Sequence, residues 1–236
     1  MTAAIIVAAG KGIRMGPNVD KLFLQLNGRP VVAHTWGRFD EVSCIDEIIL
    51  VVRDGMQGDF TELAERYVFR KRFRMVPGGK ERQDSVWNGL EAVTSRAEIM
   101  LIQDAARPCT SETLIRSTIE AAREIGAAVA AQLMTDTIKE SATGQLIDRT
   151  LDRSRLWAVQ TPQTFRLSVI RRALMEARRQ GISVTDDTAA CELINQSVKL
   201  VASTEPNPKV TRPEDLPYIE FLLRKAEAGG MSKEQA

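Results

Sequence analysis

The chain has 236 residues, 44% hydrophobic and 27% charged, with a formal net charge of +1. That is the make-up of a globular α/β-sized domain; it excludes a disordered chain and a nucleic-acid binder that works through a basic excess. Cys44, Cys109 and Cys191 are scattered and show no C-x-x-C spacing, which argues against disulfides and structural zinc and for a reducing cytoplasm. No stretch approaches the roughly 18 apolar residues of a membrane span, and Met1-Thr2 carry no basic leader region.

Residues 3–9 are Ala-Ala-Ile-Ile-Val-Ala-Ala and read as a buried parallel strand. The strand empties into Gly10-Lys11-Gly12-Ile13-Arg14-Met15-Gly16, with Lys21 just beyond. Glycines allow close approach of backbone N–H groups to an anion, so the loop is either a phosphate cradle or an ordinary tight turn with solvated cations. It is not a Walker loop. Met15 stands where a dinucleotide fingerprint needs its third glycine, and Gly16 comes one residue late, which disfavours NAD.

Arg29-Pro30 precede a helix to about residue 42. It holds the only histidine, His34, which reads as a packed helix residue; a histidine-clustered metal site is impossible with one histidine. Residues 45–52 form a second buried strand. Residues 59 to about 72 read as a helix, with Phe60, Leu63, Ala64 and Tyr67 at i, i+3, i+4 and i+7. A strand at 73–76 ends in Pro77-Gly78-Gly79-Lys80-Glu81-Arg82-Gln83-Asp84-Ser85, a second glycine loop opening a helix from about 83 to 93. Its N-terminus suits a phosphate or a carbonyl-bearing base, or is simply an αL turn with a Ser/Asp cap.

A strand at 99–103 runs into Asp104-Ala105-Ala106-Arg107-Pro108. This sets a carboxylate at a strand's carboxyl end, where open α/β sheets bind ligands. A helix over 111–125, stopped by Gly126, and a strand at 127–132 follow. From about 136 to 155 the pattern changes to short strands at 137–140 and 146–150 around Ala142-Thr143-Gly144. That predicts an inserted β-hairpin arm, with a second subunit as its simplest packing partner.

The chain returns through 156–160 and Thr161-Pro162-Gln163 to a helix over 167–180. Thr185-Asp186-Asp187 cap a further helix to about 195, and 198–202 is a strand. Thr211-Arg212-Pro213-Glu214 reads as a capping box for a last helix to about 228, stopped by Gly229 and followed by a polar tail. The alternation predicts one α/β domain over 1–236, Rossmann-like, with a mainly parallel sheet plus the arm. Right-handed crossovers put the loops after Ala9, Val76 and Gln103 on one edge.

Together these loops offer two glycine turns, the cations Arg14 and Lys21, the hydroxyl of Ser85 and the carboxylate of Asp104. Mg²⁺ in such a site takes one or two carboxylates and shares phosphate oxygens. This equipment suits a nucleoside triphosphate whose α-phosphorus is attacked in line by a second substrate's phosphate. Positioning and charge neutralisation then do the catalysis, with no histidine or activated serine.

The same residues carry a family resemblance. Ala8-Ala9-Gly10-x-Gly12-x-Arg14-Met15, Lys21, Gly78-Gly79-x-x-Arg82-x-x-Ser85-Val86, Asp104-Ala105-Ala106-Arg107-Pro108, Asp136-Thr137, Asp152-Arg153, Thr161-Pro162-Gln163, Thr185-Asp186 and Lys209-Val210-Thr211-Arg212-Pro213-Glu214-Asp215 occur in order along nearly the whole chain. The sequence resembles the 2-C-methyl-D-erythritol 4-phosphate cytidylyltransferases of the non-mevalonate isoprenoid pathway. The resemblance implies a nucleotidyltransferase-type fold, a homodimer held by the arm, CTP and methylerythritol phosphate as substrates, and Mg²⁺ as cofactor. It implies that Arg14 and Lys21 stabilise the pentacovalent phosphate, with Arg153 and Lys209 also in catalytic positions. Ala8, Ala9, Gly10, Gly12, Gly79, Arg82 and Ser85 would hold the nucleotide. Asp104 would bind Mg²⁺ and the sugar alcohol, while Arg107, Thr161, Thr185 and Lys209 hold methylerythritol phosphate. Thr137 and Arg153, on the arm, would reach the partner subunit's substrate.

Three positions depart from the family pattern: Gln103 where histidine is usual, Asp20 where proline is usual, and Lys80 where some members are acidic. Gln103 is expected on the opposite strand face from Asp104. Asp20 is expected to loosen the loop and set a carboxylate beside Lys21. The competing readings are a sister transferase acting on another polyol phosphate, such as ribitol 5-phosphate, and a non-catalytic nucleotide-binding regulator. Ala106 within Asp104-Ala105-Ala106-Arg107-Pro108 favours the methylerythritol enzyme over the ribitol one.

Overall fold

The computed structural model describes residues 1–10, 15 and 19–231. Gly12 and Arg14 therefore lie outside the described residues, as does the tail at 232–236.

Strand β1 (Thr2–Ala8) is apolar and almost wholly buried, as a strand covered on both faces must be. A small hairpin follows, β2 (Gln25–Leu26) and β3 (Arg29–Pro30), turning at Asn27 (φ 48°) and Gly28 (φ 73°). Asn-Gly is the pair that a two-residue turn with positive φ selects. The chain continues through α1 (Val31–Glu41), β4 (Glu47–Val52), α2 (Gln57–Tyr67), β5 (Arg72–Pro77) and α3 (Arg82–Glu91). Then come β6 (Ile99–Asp104), α4 (Glu112–Ile125) and β7 (Ala127–Leu133). The arm pairs β8 (Lys139–Glu140) with β9 (Arg149–Thr150). Last are β10 (Trp157–Arg166), α5 (Leu167–Gln180), α6 (Asp187–Glu192), β11 (Lys199–Ala202) and α7 (Asp215–Met231).

Seven strands form one sheet in the order β11-β7-β10-β6-β1-β4-β5. All neighbours are parallel except β10, which runs antiparallel to both β6 and β7. Its register shifts between Val159 and Gln163, around a cis Thr161–Pro162 peptide. Residues alternate between two cores, as strand periodicity requires. Ile6, Leu50 and Leu101 face Trp36, Phe39, Ile115 and Ile119. Ile5, Val51 and Ile102 face Val86, Leu90, Ile170 and Leu174. The fold is thus the expected α/β arrangement with a mainly parallel sheet. Register pairs Val7 with Asp104, Ala8 with Val52 and Val52 with Pro77, so the carboxyl ends of β1, β4, β5 and β6 share one edge.

Several boundaries differ from the sequence expectation, each for a tertiary reason. Helix α2 stops at Tyr67 rather than near 72, because Val68 turns left-handed (φ 51°). The turn lets Phe69 stack on Trp36 at 4.1 Å, while the Asp40 carboxylate accepts from the N–H groups of Arg70 and Lys71. Helix α7 begins at Asp215, whose Oδ2 accepts from the N–H groups of Thr211 and Arg212 at 2.7 and 2.8 Å. Asp215 therefore fills the role expected of Glu214, and the helix passes Gly229 to reach Met231. In the arm only two residues per strand pair, closed by Ser141 donating to Leu146 and by the Ala142 N–H donating to Asp148.

Candidate active site

At the shared strand edge lies a pocket of about 480 Å³. Ala9 and Gly10 after β1, Gly79 to Arg82 and Ser85 around the start of α3, and Asp104 to Ala106 after β6 line it, together with Lys21 and Lys209. Sequence-distant loops meet here because parallel strands deliver their carboxyl ends to the same edge. Ala8 is the last, buried residue of β1 and sets where the first loop begins.

The second glycine loop is fixed by its own hydrogen bonds. The Gly78 N–H donates to the Val52 carbonyl at 2.8 Å, and the Gly79 N–H donates to Ser85 Oγ at 3.0 Å. Ser85 in turn donates to the Glu81 carbonyl at 3.1 Å. A Cβ on Gly79 would lie 2.2 Å from the Asp84 Cβ, so only glycine fits there. Helix α3 carries a reciprocal box in which Asp84 accepts from the Glu81 N–H and Glu81 accepts from the Asp84 N–H. Those two donors are spent within the protein. The helix start is thus a Glu81/Asp84 box and not the Ser/Asp cap considered from the sequence.

Asp104, at the end of β6, is the electrostatic centre. Its Oδ2 accepts from Lys209 Nζ at 2.7 Å and lies 3.6 Å from Arg107 Nε, while Oδ1 lies 3.7 Å from Arg82 Nε. Burial alone would raise this carboxyl, but Lys209, Arg82 and Arg107 outweigh it and hold the pKa down at about 2. The group is therefore a carboxylate at neutral pH. Burial lowers the Arg107 guanidinium, against the pull of Asp104. Burial also opposes the charge on Arg82, but Asp187 and Asp104 raise its pKa overall. Around one carboxylate the site gathers three cations, an arrangement that leaves net positive charge for phosphate oxygens.

Lys21 is buried at the pocket wall, its Nζ donating to the Val210 carbonyl at 2.8 Å. The Asp20 carboxylate pairs with Arg53, just beyond β4, and accepts from the Leu22 N–H at 3.1 Å. An ion pair thus tethers the segment where a proline would have stiffened it. Gln103 is fully buried on the opposite face from Asp104 and donates to Thr110 Oγ1 at 2.9 Å. Lys80 stands exposed on the pocket rim.

Thr161 is buried beside this group, its Oγ1 accepting from the Asp104 N–H at 3.1 Å. Thr185 is exposed, immediately before the Asp186 cap of α6, and does not line the pocket. Thr137 and Arg153 are exposed on the arm, apart from their own chain's pocket; Arg153 donates to the Thr135 carbonyl. His34 packs in α1 with Nε2 against the Leu26 carbonyl at 2.8 Å.

Two buried residues hold roles that the sequence did not assign, although Gln163 stands in Thr161-Pro162-Gln163. Asn207 donates to the Thr161 carbonyl at 2.8 Å and to Gln160, its carbonyl accepts from Arg107 at 2.6 Å, and its Oδ1 accepts from Thr110. Gln163 donates to Asp186 and accepts from the Asp187 N–H, both at 3.0 Å. Neither sits in a motif with its partners; the only sequence signal was a lone polar residue beside an otherwise buried strand or strap.

As for a metal, Asp104 supplies one anionic carboxylate, and the described residues hold no group of three or more His, Cys, Asp or Glu side chains suited to an ion. Such a donor set fits Mg²⁺ that draws most of its ligands from substrate phosphates, not a dedicated protein cage.

The family model for 2-C-methyl-D-erythritol 4-phosphate cytidylyltransferase matches residues 2–225. A protein of that description from Alkaliphilus oremlandii is 43% identical over 230 residues, covering 97% of both chains. Another, from Geobacillus thermodenitrificans, is 43% identical over 220 residues, covering 93% of this chain and 96% of its own. Among solved structures, the 4-diphosphocytidyl-2C-methyl-D-erythritol synthase of Anaerococcus prevotii superposes with a TM-score of 0.84 at 32% identity. It covers 94% of this chain and 96% of its own. The cytidylyltransferase of Thermus thermophilus gives 0.78 at 30% identity, covering 95% of this chain and all of its own. With a pocket built from both glycine loops and Asp104, and a match over nearly its full length, the chain belongs to the 2-C-methyl-D-erythritol 4-phosphate cytidylyltransferase family.

Proposed function

We propose that the strand-edge pocket is where this chain transfers a cytidylyl group from CTP to 2-C-methyl-D-erythritol 4-phosphate. The products are 4-diphosphocytidyl-2-C-methyl-D-erythritol, an isoprenoid precursor, and pyrophosphate. The observation that carries this reading is Asp104 ringed by Lys209, Arg82 and Arg107 between the two glycine loops. A phosphate oxygen of methylerythritol phosphate attacks the α-phosphorus of CTP. The bond from that phosphorus to the bridging oxygen breaks, and its electron pair leaves on pyrophosphate. The nucleophile is already an anion, so the protein needs no general base.

Lys21, held by Val210, supplies fixed positive charge where charge develops, and Arg14 is assigned the same task from the family pattern. The Gly78-Gly79 turn, shaped by Ser85, receives the nucleotide. Lys209, Arg107 and Thr161, grouped on Asp104, receive the polyol phosphate. Mg²⁺ held by Asp104 and phosphate oxygens would add neutralisation of the triphosphate. The arm is read as a homodimer contact: Leu146 and Ile147 are 74% and 66% exposed on it, which supports burial against a second copy. Thr137 and Arg153 would then serve the partner's pocket. A cytoplasmic setting rests on the cysteine spacing, and no described helix is long and apolar enough to cross a membrane.

The test is pyrophosphate release with CTP and Mg²⁺, comparing methylerythritol phosphate with ribitol 5-phosphate. Release with the first and not the second is expected. Release with ribitol 5-phosphate alone makes the chain a sister transferase, and release with neither makes it a non-catalytic binder.

A further inference from the structure

Asp187 is the first residue of α6 and is completely buried. The helix does not need its carboxylate, because Asp186 already caps it: Oδ1 accepts from the Ala189 N–H at 2.8 Å and from the Thr188 hydroxyl at 2.9 Å. Removing a carboxylate from water is costly unless a partner compensates. The partner is Arg82, whose guanidinium donates to Asp187 Oδ2 at 2.7 Å. The other edge of that guanidinium faces the pocket, with Nε 3.7 Å from Asp104. Arg82 therefore bridges two carboxylates, one lining the pocket and one behind it. Behind, Gln163 accepts from the Asp187 N–H and grips Asp186, tying α6 to β10. A continuous line runs from Gln163 through Asp187 and Arg82 to Asp104.

We propose that Asp187 is a positioning residue for the transfer reaction. It holds the back edge of the Arg82 guanidinium and so aims the front edge at Asp104 and the triphosphate. A planar guanidinium gripped on one side is pre-organised on the other, where a free arginine would sample many rotamers. Burial pushes the Asp187 carboxyl up, against the pull of Arg82, which favours the charged form; in that form Asp187 offsets one of the three positive charges around Asp104. This inference rests on the reading of the pocket given above.

The test compares kcat and KM for CTP and for methylerythritol phosphate in the wild type, Asp187→Asn, Arg82→Gln and the double variant. Wild-type turnover comes first; its absence overturns the reading of the pocket itself. With turnover established, Asp187→Asn should lower kcat/KM about tenfold to a hundredfold, in the range of a lost charged hydrogen bond. The loss should fall on the same parameter as in Arg82→Gln. The double variant should match Arg82→Gln, since Asp187 has nothing left to aim. Losses that multiply in the double variant, or a rise confined to the methylerythritol phosphate KM, overturn the proposal and leave Asp187 a structural residue of α6. So does wild-type kcat/KM in Asp187→Asn. Should Asp187→Asn fail to fold, Asp187→Glu, which keeps the charge but displaces the oxygen that accepts from Arg82, takes its place in the cycle: a kcat/KM loss that disappears in the Arg82→Gln background supports the proposal, and wild-type kcat/KM or a loss that persists in that background overturns it.

Discussion

At the scale of single residues, charge and burial act together at two positions. Lys21 reaches the pocket wall with its ammonium held by the Val210 carbonyl. Lys21→Ala should abolish turnover, by a factor on the order of 10²–10³ or more, while the circular dichroism spectrum and melting temperature stay close to wild type. Near-normal turnover would remove Lys21 from the catalytic set. Asp104 has a folded pKa of about 2, below the ordinary carboxyl value of 3.8. A depressed carboxyl stabilises the fold above its unfolded pKa, and that contribution disappears as pH falls through the folded one. Urea unfolding from pH 5 down to pH 2 should therefore cost the wild type about 2 kcal/mol more than Asp104→Asn, with the difference accumulating below about pH 4. Parallel pH profiles for the two proteins would show that Asp104 gains nothing from its ring of cations.

At the scale of elements, close approach decides what can vary. Helix α3 crosses β1 and β4 at Gly89, where a Cβ would lie 2.8 Å from Ile5 Cγ2 and 3.1 Å from Val51 Cγ2. Gly89→Ala should destabilise by about 1–3 kcal/mol, the usual cost of overpacking a filled core, read from the urea midpoint at unchanged slope. The same scale shows what was legible in the sequence. β1 and its glycine loop, the Gly78-Gly79 turn and Asp104 at a strand end are local patterns, and the parallel sheet brings them together as expected. Helix α5 begins and ends at the expected residues, 167 and 180. The end of α2 was not legible, because it depends on Phe69 finding Trp36 across the core. Asp187, Gln163 and Asn207 were hidden for a related reason. Each is one polar residue whose partners described above lie 23 to 105 positions away, and no local period announces such a pairing. The Asn27-Gly28 turn was legible and went unread.

At the scale of the whole molecule, the arm stands out from the sheet with its residues largely exposed. The reading of it as a dimer contact predicts a dimer in sedimentation equilibrium at micromolar concentration. Charged substitution of Leu146 and Ile147 together should shift that equilibrium towards monomer without unfolding the domain. A wild-type monomer at that concentration would leave the arm without its assigned partner.

The strap carrying Asn207, Lys209 and Val210 has a consequence for biosynthesis. It meets Lys21 across 189 positions of sequence, Asp104 across 105 and Arg107 across 100. On a ribosome, domains form as the chain emerges, and contacts between distant positions close last. The parallel strands β1, β4, β5 and β6 can pair while the strap is still unmade, so a chain released early would carry both glycine loops and Asp104 with no lysine from the strap to meet them. Catalytic competence in this protein therefore reports that translation has passed residue 210, and a truncated product would be silent rather than partly active.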